Sequence, residues 1–139
     1  AVEPTAPQAL QYNRALALEA SVIQAQQPQV WDARTKAEYT GEKVLSARGG
    51  HIPGAIHLEW TELLDESRGL RLRDDLASYI EGKGLDLSQP IVTHCQTHRR
   101  SGLTYFVGKL LGAPIAAYPG SWSEWGNDEQ LPVTTGDQP

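Results

Sequence analysis

Pro90-Ile91-Val92-Thr93-His94-Cys95-Gln96-Thr97-His98-Arg99-Arg100-Ser101-Gly102-Leu103 is an apolar run that passes into a polar, basic loop and then into a periodic stretch. Residues 90–94 read as a short buried strand, β-branched and bounded by proline. From Ser101, the residues Leu103, Phe106, Val107, Leu110 and Leu111 recur at i, i+3, i+4, i+7 and i+8. That spacing is the apolar stripe of an amphipathic helix of about ten residues, which Gly112 is placed to end. The loop between strand and helix carries Cys95, the only cysteine in the chain. In a strand–loop–helix unit the loop amides and the helix N-terminus face what the loop carries, and two arginines stand beside the thiol. Each favours a thiolate, which is the nucleophilic form, and the same groups can hold an oxyanion.

Working outward, strands and helices alternate. Residues 1–7 hold two prolines and little to bury, so they read as a flexible tail or linker. An extended piece is expected around Arg14–Leu18 and a helix near Glu19–Gln26, ended by Pro28. Residues 29–33 read as a strand. Thr35 with Glu38 is a capping-box pattern for a short helix that stops by Gly41. Residues 41–50 form a loop closing on Gly49-Gly50, and 54–58 form another strand after the turn at Pro53. A helical turn or more is expected over Trp60–Asp65, and a helix over Asp74–Lys83 with Leu76, Tyr79 and Ile80 on one face and Gly84 as its C-cap. Residues 115–118 make the last strand, and Ser121-Trp122-Ser123-Glu124 reads as a second capping box opening a terminal helix. Residues 8–130 then form one domain and 131–139 a C-terminal tail.

Short apolar strands between helices predict an α/β domain with a mainly parallel, five-stranded sheet flanked by helices on both faces. Ligands of such sheets bind at the carboxyl ends of the strands. Cys95 lies at one such end and Asp32-Ala33-Arg34 at another. The length of 139 residues suits a single core. A formal charge of −5 gives no reason to expect nucleic acid or an acidic membrane surface as partner. One cysteine cannot make an internal disulfide, and no apolar run approaches the roughly 18 residues of a membrane span. The chain has no methionine and starts Ala1-Val2-Glu3-Pro4, so a processed terminus, a linker or a removed leader are all open. The compartment stays open between cytoplasm and periplasm, as does the oligomeric state.

Within the loop, Arg100 at the helix entrance is the first choice for an anion ligand, and Arg99 is expected to face solvent. The amides from Gln96 through Thr97 and His98 to Ser101 supply the cradle, as backbone nests do. His98 is expected mainly to contact substrate. His94, Cys95 and His98 are too weak a pattern for a metal site, so neither metal nor cofactor is expected. Asp32 is given a structural role, while Arg34 stands equally between pairing with Asp32 and reaching the anion pocket. His51-Ile52-Pro53-Gly54-Ala55 is read as a structural turn. Trp31, Trp60, Trp122 and Trp125 are read as core or pocket wall.

Taken in order, Asp32-Ala33-Arg34, Gly50-His51-Ile52-Pro53-Gly54-Ala55, the Cys95 loop and Pro119-Gly120-Ser121-Trp122-Ser123-Glu124-Trp125 resemble the rhodanese family of sulfurtransferases. The resemblance covers nearly the whole chain. It implies a persulfide on Cys95, formed from a small anionic sulfur donor such as thiosulfate and discharged to cyanide or a thiol acceptor. Loop length sharpens it. Sulfurtransferases of this superfamily carry six residues from the cysteine to the loop's end, here Cys95 to Arg100. The related phosphatases have a longer loop and an arginine where Ser101 stands. Gln96 and His98 depart from the basic residue and glycine of many thiosulfate-using members, which leaves the donor open. The rivals are a sulfur-relay module fed by a partner protein, a redox-sensing binding module and, least favoured, a phosphatase. The sequence is also compatible with the catalytic half of a tandem protein of this family.

Overall fold

The computed structural model describes Gln11 and residues 13–139; the stretch 1–7, read above as a tail, lies outside the described residues. Pro28 and a left-handed Gln27 (φ 46°) close helix α1 (Ala20–Gln26) and deliver the chain to strand β1 (Gln29–Asp32). Helix α2 (Lys36–Thr40) follows. Its capping box is present, with Thr35 accepting from the Glu38 N–H and Glu38 accepting from the Thr35 N–H. Strand β2 (Ile56–His57) comes next, then a small antiparallel ribbon of β3 (Leu64–Asp65) and β4 (Arg71–Leu72). The chain continues through helix α3 (Leu76–Gly82), strand β5 (Ile91–His94), helix α4 (Ser101–Leu110), strand β6 (Ile115–Ala117) and helix α5 (Ser121–Trp125).

The main sheet has the order β2-β1-β5-β6 and all of its pairings are parallel. Because alternate strand residues point to opposite faces, neighbours in sequence feed different cores. Val30 and Val92 join Ile23, Tyr39, Trp122 and Trp125 on one face. Trp31 and Ile91 join Leu58, Ile80, Val107 and Ile115 on the other. Helices α1, α2 and α5 thus cover one face, and α3 and α4 the other. Pairing β1 to β5 in register sets Asp32 opposite His94, so the segments that follow each strand leave the sheet at the same level.

Several sequence expectations are corrected. The sheet has four strands, not five. Where the extended piece around Arg14–Leu18 was expected, Arg14–Leu16 is a 3-10 turn capped by the Asn13 carboxamide, and only Ala17 makes a single parallel bridge to Ala117. Local capping wins there over strand pairing. The turn expected over Trp60–Asp65 is helical only from Trp60 to Leu63, after which Leu64 and Asp65 enter the ribbon.

The α4 stripe is rotated. Phe106 and Leu110 are 55% and 60% exposed, while Ser101, Thr104, Val107 and Gly108 face the sheet. Close approach demands small residues on that face. A Cβ on Gly108 would sit 2.7 Å from the Ile115 side chain, and the Thr104 and Thr93 hydroxyls share a hydrogen bond of 2.6 Å.

The second capping box does not form, since helix α5 has no side-chain cap. Ser121 takes a left-handed conformation (φ 54°) and its hydroxyl donates to the Tyr118 carbonyl oxygen, while Glu124 accepts from the Tyr118 hydroxyl. Both side chains are engaged elsewhere.

Residues 131–139, read as a tail, lie against the body. Leu131 is buried, His51 and Thr134 exchange backbone bonds, and the Trp125 indole donates to the Pro132 carbonyl oxygen. Among the described residues no helix is long and apolar enough to cross a membrane.

Candidate active site

Cys95 is the first residue past β5 and is 1% exposed. Its backbone is held on three sides. The Cys95 N–H donates to the Ser121 hydroxyl (3.4 Å), and the Cys95 carbonyl oxygen accepts from the Trp122 N–H (2.9 Å) and from His94 Nδ1 (3.0 Å). The next carbonyl, of Gln96, accepts from the Ser123 N–H at 2.9 Å. The Pro119–Trp125 segment thus clamps the loop through main-chain bonds.

The loop bends back at His98, which is left-handed (φ 59°), and this turns the amides of Thr97, Arg100 and Ser101 toward the sulfur. Burial alone would raise the Cys95 thiol. The Ser101 hydroxyl and the amides of Ser101, Thr97 and Arg100 outweigh it and hold the thiol below its ordinary value. His98 Nδ1 lies 2.8 Å from the Ser101 hydroxyl oxygen. With the His98 N–H as donor, the Ser101 proton is free for the sulfur. Burial lowers the His98 pKa, which favours the neutral ring.

The remaining loop side chains divide. Thr97 and Arg99 are exposed, Arg99 facing solvent. The Gln96 carboxamide donates to the Ser46 hydroxyl (3.0 Å) and the Leu45 carbonyl (3.4 Å), tying the 41–50 loop to the site. Arg100 is 26% exposed and forms a two-pronged pair with Glu38 at 2.7 and 2.8 Å. Bonding to Glu38 raises the Arg100 pKa against the cost of burial, and the negative charge of the Cys95 sulfur adds to the rise. Burial would raise Glu38, but Arg100 and Thr35 bring its carboxyl down to about 2.

Arg34 forms a buried pair with Asp32. It is 1% exposed and its guanidinium grips Asp32 (2.6 Å), donates to the Gly50 carbonyl (2.7 Å) and stacks 4.4 Å above the Trp122 ring. Of the two alternatives for Arg34, these contacts are those of the pairing with Asp32, which takes up Nε and Nη2 together with the Gly50 carbonyl. Burial raises Asp32, and the His94 ring and Arg34 more than reverse this, to about 2. Among the described residues, no group of three or more His, Cys, Asp or Glu side chains could hold a metal ion.

The chain as a whole, with a cysteine at the carboxyl end of a central parallel strand, is similar to known proteins. Residues 17–128 match the model of the Rhodanese-like domain family. The chain belongs to this family.

This rhodanese-like chain is 57% identical over 105 residues to a thiosulfate sulfurtransferase of Azotobacter vinelandii, covering 75% of this chain and 39% of that protein. It is 54% identical, with the same coverage, to a thiosulfate sulfurtransferase of Pseudomonas aeruginosa. The chain therefore spans 39% of the length of these two relatives. The crystal structure of a probable thiosulfate sulfurtransferase superposes with a TM-score of 0.69 at 30% identity, over 88% of this chain and 49% of the other.

Two contributors to the rhodanese-like site escaped the sequence reading. Glu38 was read only as a capping residue, and nothing in its spacing signals that it reaches across to Arg100. Ser121 was read as a helix cap rather than as the group that receives the Cys95 N–H.

Proposed function

We propose that this domain transfers a sulfane sulfur from thiosulfate, or a similar anionic donor, to a thiol or cyanide through a persulfide on Cys95. The carrying observation is a buried thiol at the end of β5 that faces the Thr97, Arg100 and Ser101 amides and the Ser101 hydroxyl. A six-residue loop from Cys95 to Arg100 fits one added sulfur atom rather than a tetrahedral ester. The thiosulfate sulfurtransferases to which the chain is 57% and 54% identical support the same donor.

The Cys95 thiolate attacks the outer sulfur of thiosulfate. The sulfur–sulfur bond of the donor breaks and its electron pair leaves with sulfite. The Cys95 persulfide keeps its negative charge against the loop amides, which are in place before reaction and need no rearrangement. Thr97 and Arg99 stand at the exposed rim, where they meet the incoming anion, and Gln96, His98 and Ser101 shape the loop beneath. An acceptor thiolate or cyanide then takes the outer sulfur and restores the Cys95 thiolate.

The test is direct. Purified protein is treated with thiosulfate and its mass is measured; a gain of one sulfur atom is expected, lost again on cyanide addition with release of thiocyanate. A wild type that gains no sulfur, or a Cys95→Ser variant that turns over as fast, overturns the proposal.

A further inference from the structure

Arg100 is the loop's closing cation, yet its charge is already matched. Glu38, 2% exposed, holds both guanidinium nitrogens at 2.7 and 2.8 Å, and the Glu38 carboxylate is itself fixed by the Thr35 amide (3.2 Å) and hydroxyl (2.8 Å). The carboxylate comes from α2, on a different strand-to-helix crossover from the cysteine loop. A helix-capping device thus doubles as the anchor of a site arginine. With the Cys95 thiolate, the cluster of Glu38, Arg100 and sulfur carries a net negative charge, whereas thiolate and arginine alone would be neutral.

The geometry points to Glu38 as a positioning residue that works through Arg100, aiming the guanidinium at the sulfur while capping the positive charge the pocket offers to anions. The consequence is a site that binds its anionic donor loosely and lets the sulfite product go. A dianion that cannot react, such as sulfate or phosphate, gains little hold there. Two groups supply the remaining positive field: the loop amides, which are dipoles, and the exposed Arg99 at the rim. This inference rests on the sulfurtransferase reading for its kinetic part only; its electrostatic part concerns the thiol itself.

Glu38→Gln keeps the shape and an oxygen for Arg100 while removing the charge. Three changes are expected together. The KM for thiosulfate falls, and inhibition by sulfite and sulfate tightens, each by roughly tenfold, as expected for one partly screened charge close to the anion. The turnover number falls as sulfite leaves more slowly. The midpoint of the pH profile for Cys95 alkylation by iodoacetamide moves to lower pH, a readout that a purely structural role would not move. Glu38→Asp retains the charge and is expected to keep the wild-type midpoint with a reduced turnover number; this arm stands if the Gln variant fails to fold.

An unmoved midpoint with unchanged sulfate inhibition in Glu38→Gln overturns the inference. So does a raised KM, or an Asp variant whose midpoint shifts downward. If wild-type protein takes no sulfur from thiosulfate while the alkylation midpoint of Glu38→Gln still moves, the sulfurtransferase reading fails and the electrostatic role of Glu38 stands.

Discussion

Replacing Arg34 by methionine tests whether the buried pair behind the site is structural. The side chain is 1% exposed and Asp32 is fully buried. Four donor–acceptor contacts of 2.6 to 3.1 Å from the guanidinium are lost, three to Asp32 and one to the Gly50 carbonyl, together with the stacking on Trp122. Removing one partner of a buried pair strands the other charge, at a cost of about 3–5 kcal/mol. At about 3 °C per kcal/mol for a domain of this size, the melting temperature should fall by roughly 10–15 °C. Urea denaturation of wild type, Arg34→Met, Asp32→Leu and the double variant gives the coupling. The double variant should lose less than the sum of the singles, by about 2–3 kcal/mol. A loss under about 1 kcal/mol in Arg34→Met would place the pair with ordinary surface ion pairs and refute the reasoning. A raised KM for thiosulfate in the folded variant would return Arg34 to the anion pocket.

Three further outcomes are expected. Asp32 and Glu38 both have carboxyls depressed to about 2, from ordinary values of 3.8 and 4.5. Their contribution to stability is therefore full above pH 4.5 and drains away as pH falls toward 2; acid titration by circular dichroism should show Arg100→Gln losing the Glu38 share. Gly50→Ala places a Cβ 2.3 Å from the Thr134 carbonyl oxygen in a residue with φ of 114°, so urea denaturation should show a loss of at least about 2 kcal/mol. On α4, Phe106→Gln and Leu110→Gln should each change stability by less than about 0.5 kcal/mol, whereas the buried Val107→Ala should cost about 1–3 kcal/mol; equal losses at all three positions would restore the stripe read from spacing.

The order of elements and the place of Cys95 were legible because they depend on local signals. Proline and glycine end α1 and α4, the apolar pairs Val30-Trp31 and Ile91-Val92 mark β1 and β5, and Thr35 with Glu38 caps α2 as its spacing implies. What sequence could not reach lies between elements. Hydrophobic spacing marks α4 as a helix but not its rotation, which is decided by how near Gly108 lets it come to Ile115. Spacing also cannot tell whether the Arg34 guanidinium turns inward or outward; Asp32, Gly50 and Trp122 decide that together. Glu38 was visible as a cap and invisible as a partner of Arg100, since the two are separated by 62 positions.

The main-chain clamp on the cysteine loop separates two jobs that loops often combine. The Trp122 and Ser123 amides hold the Cys95 and Gln96 carbonyls, and the Ala33 amide holds the His94 carbonyl. None of these bonds depends on what side chains stand at positions 96 to 99. The exposed side chains of Thr97 and Arg99 can therefore be exchanged while the main-chain clamp stays in place. Diversifying residues 97 and 99 is therefore the economical way to retarget this scaffold.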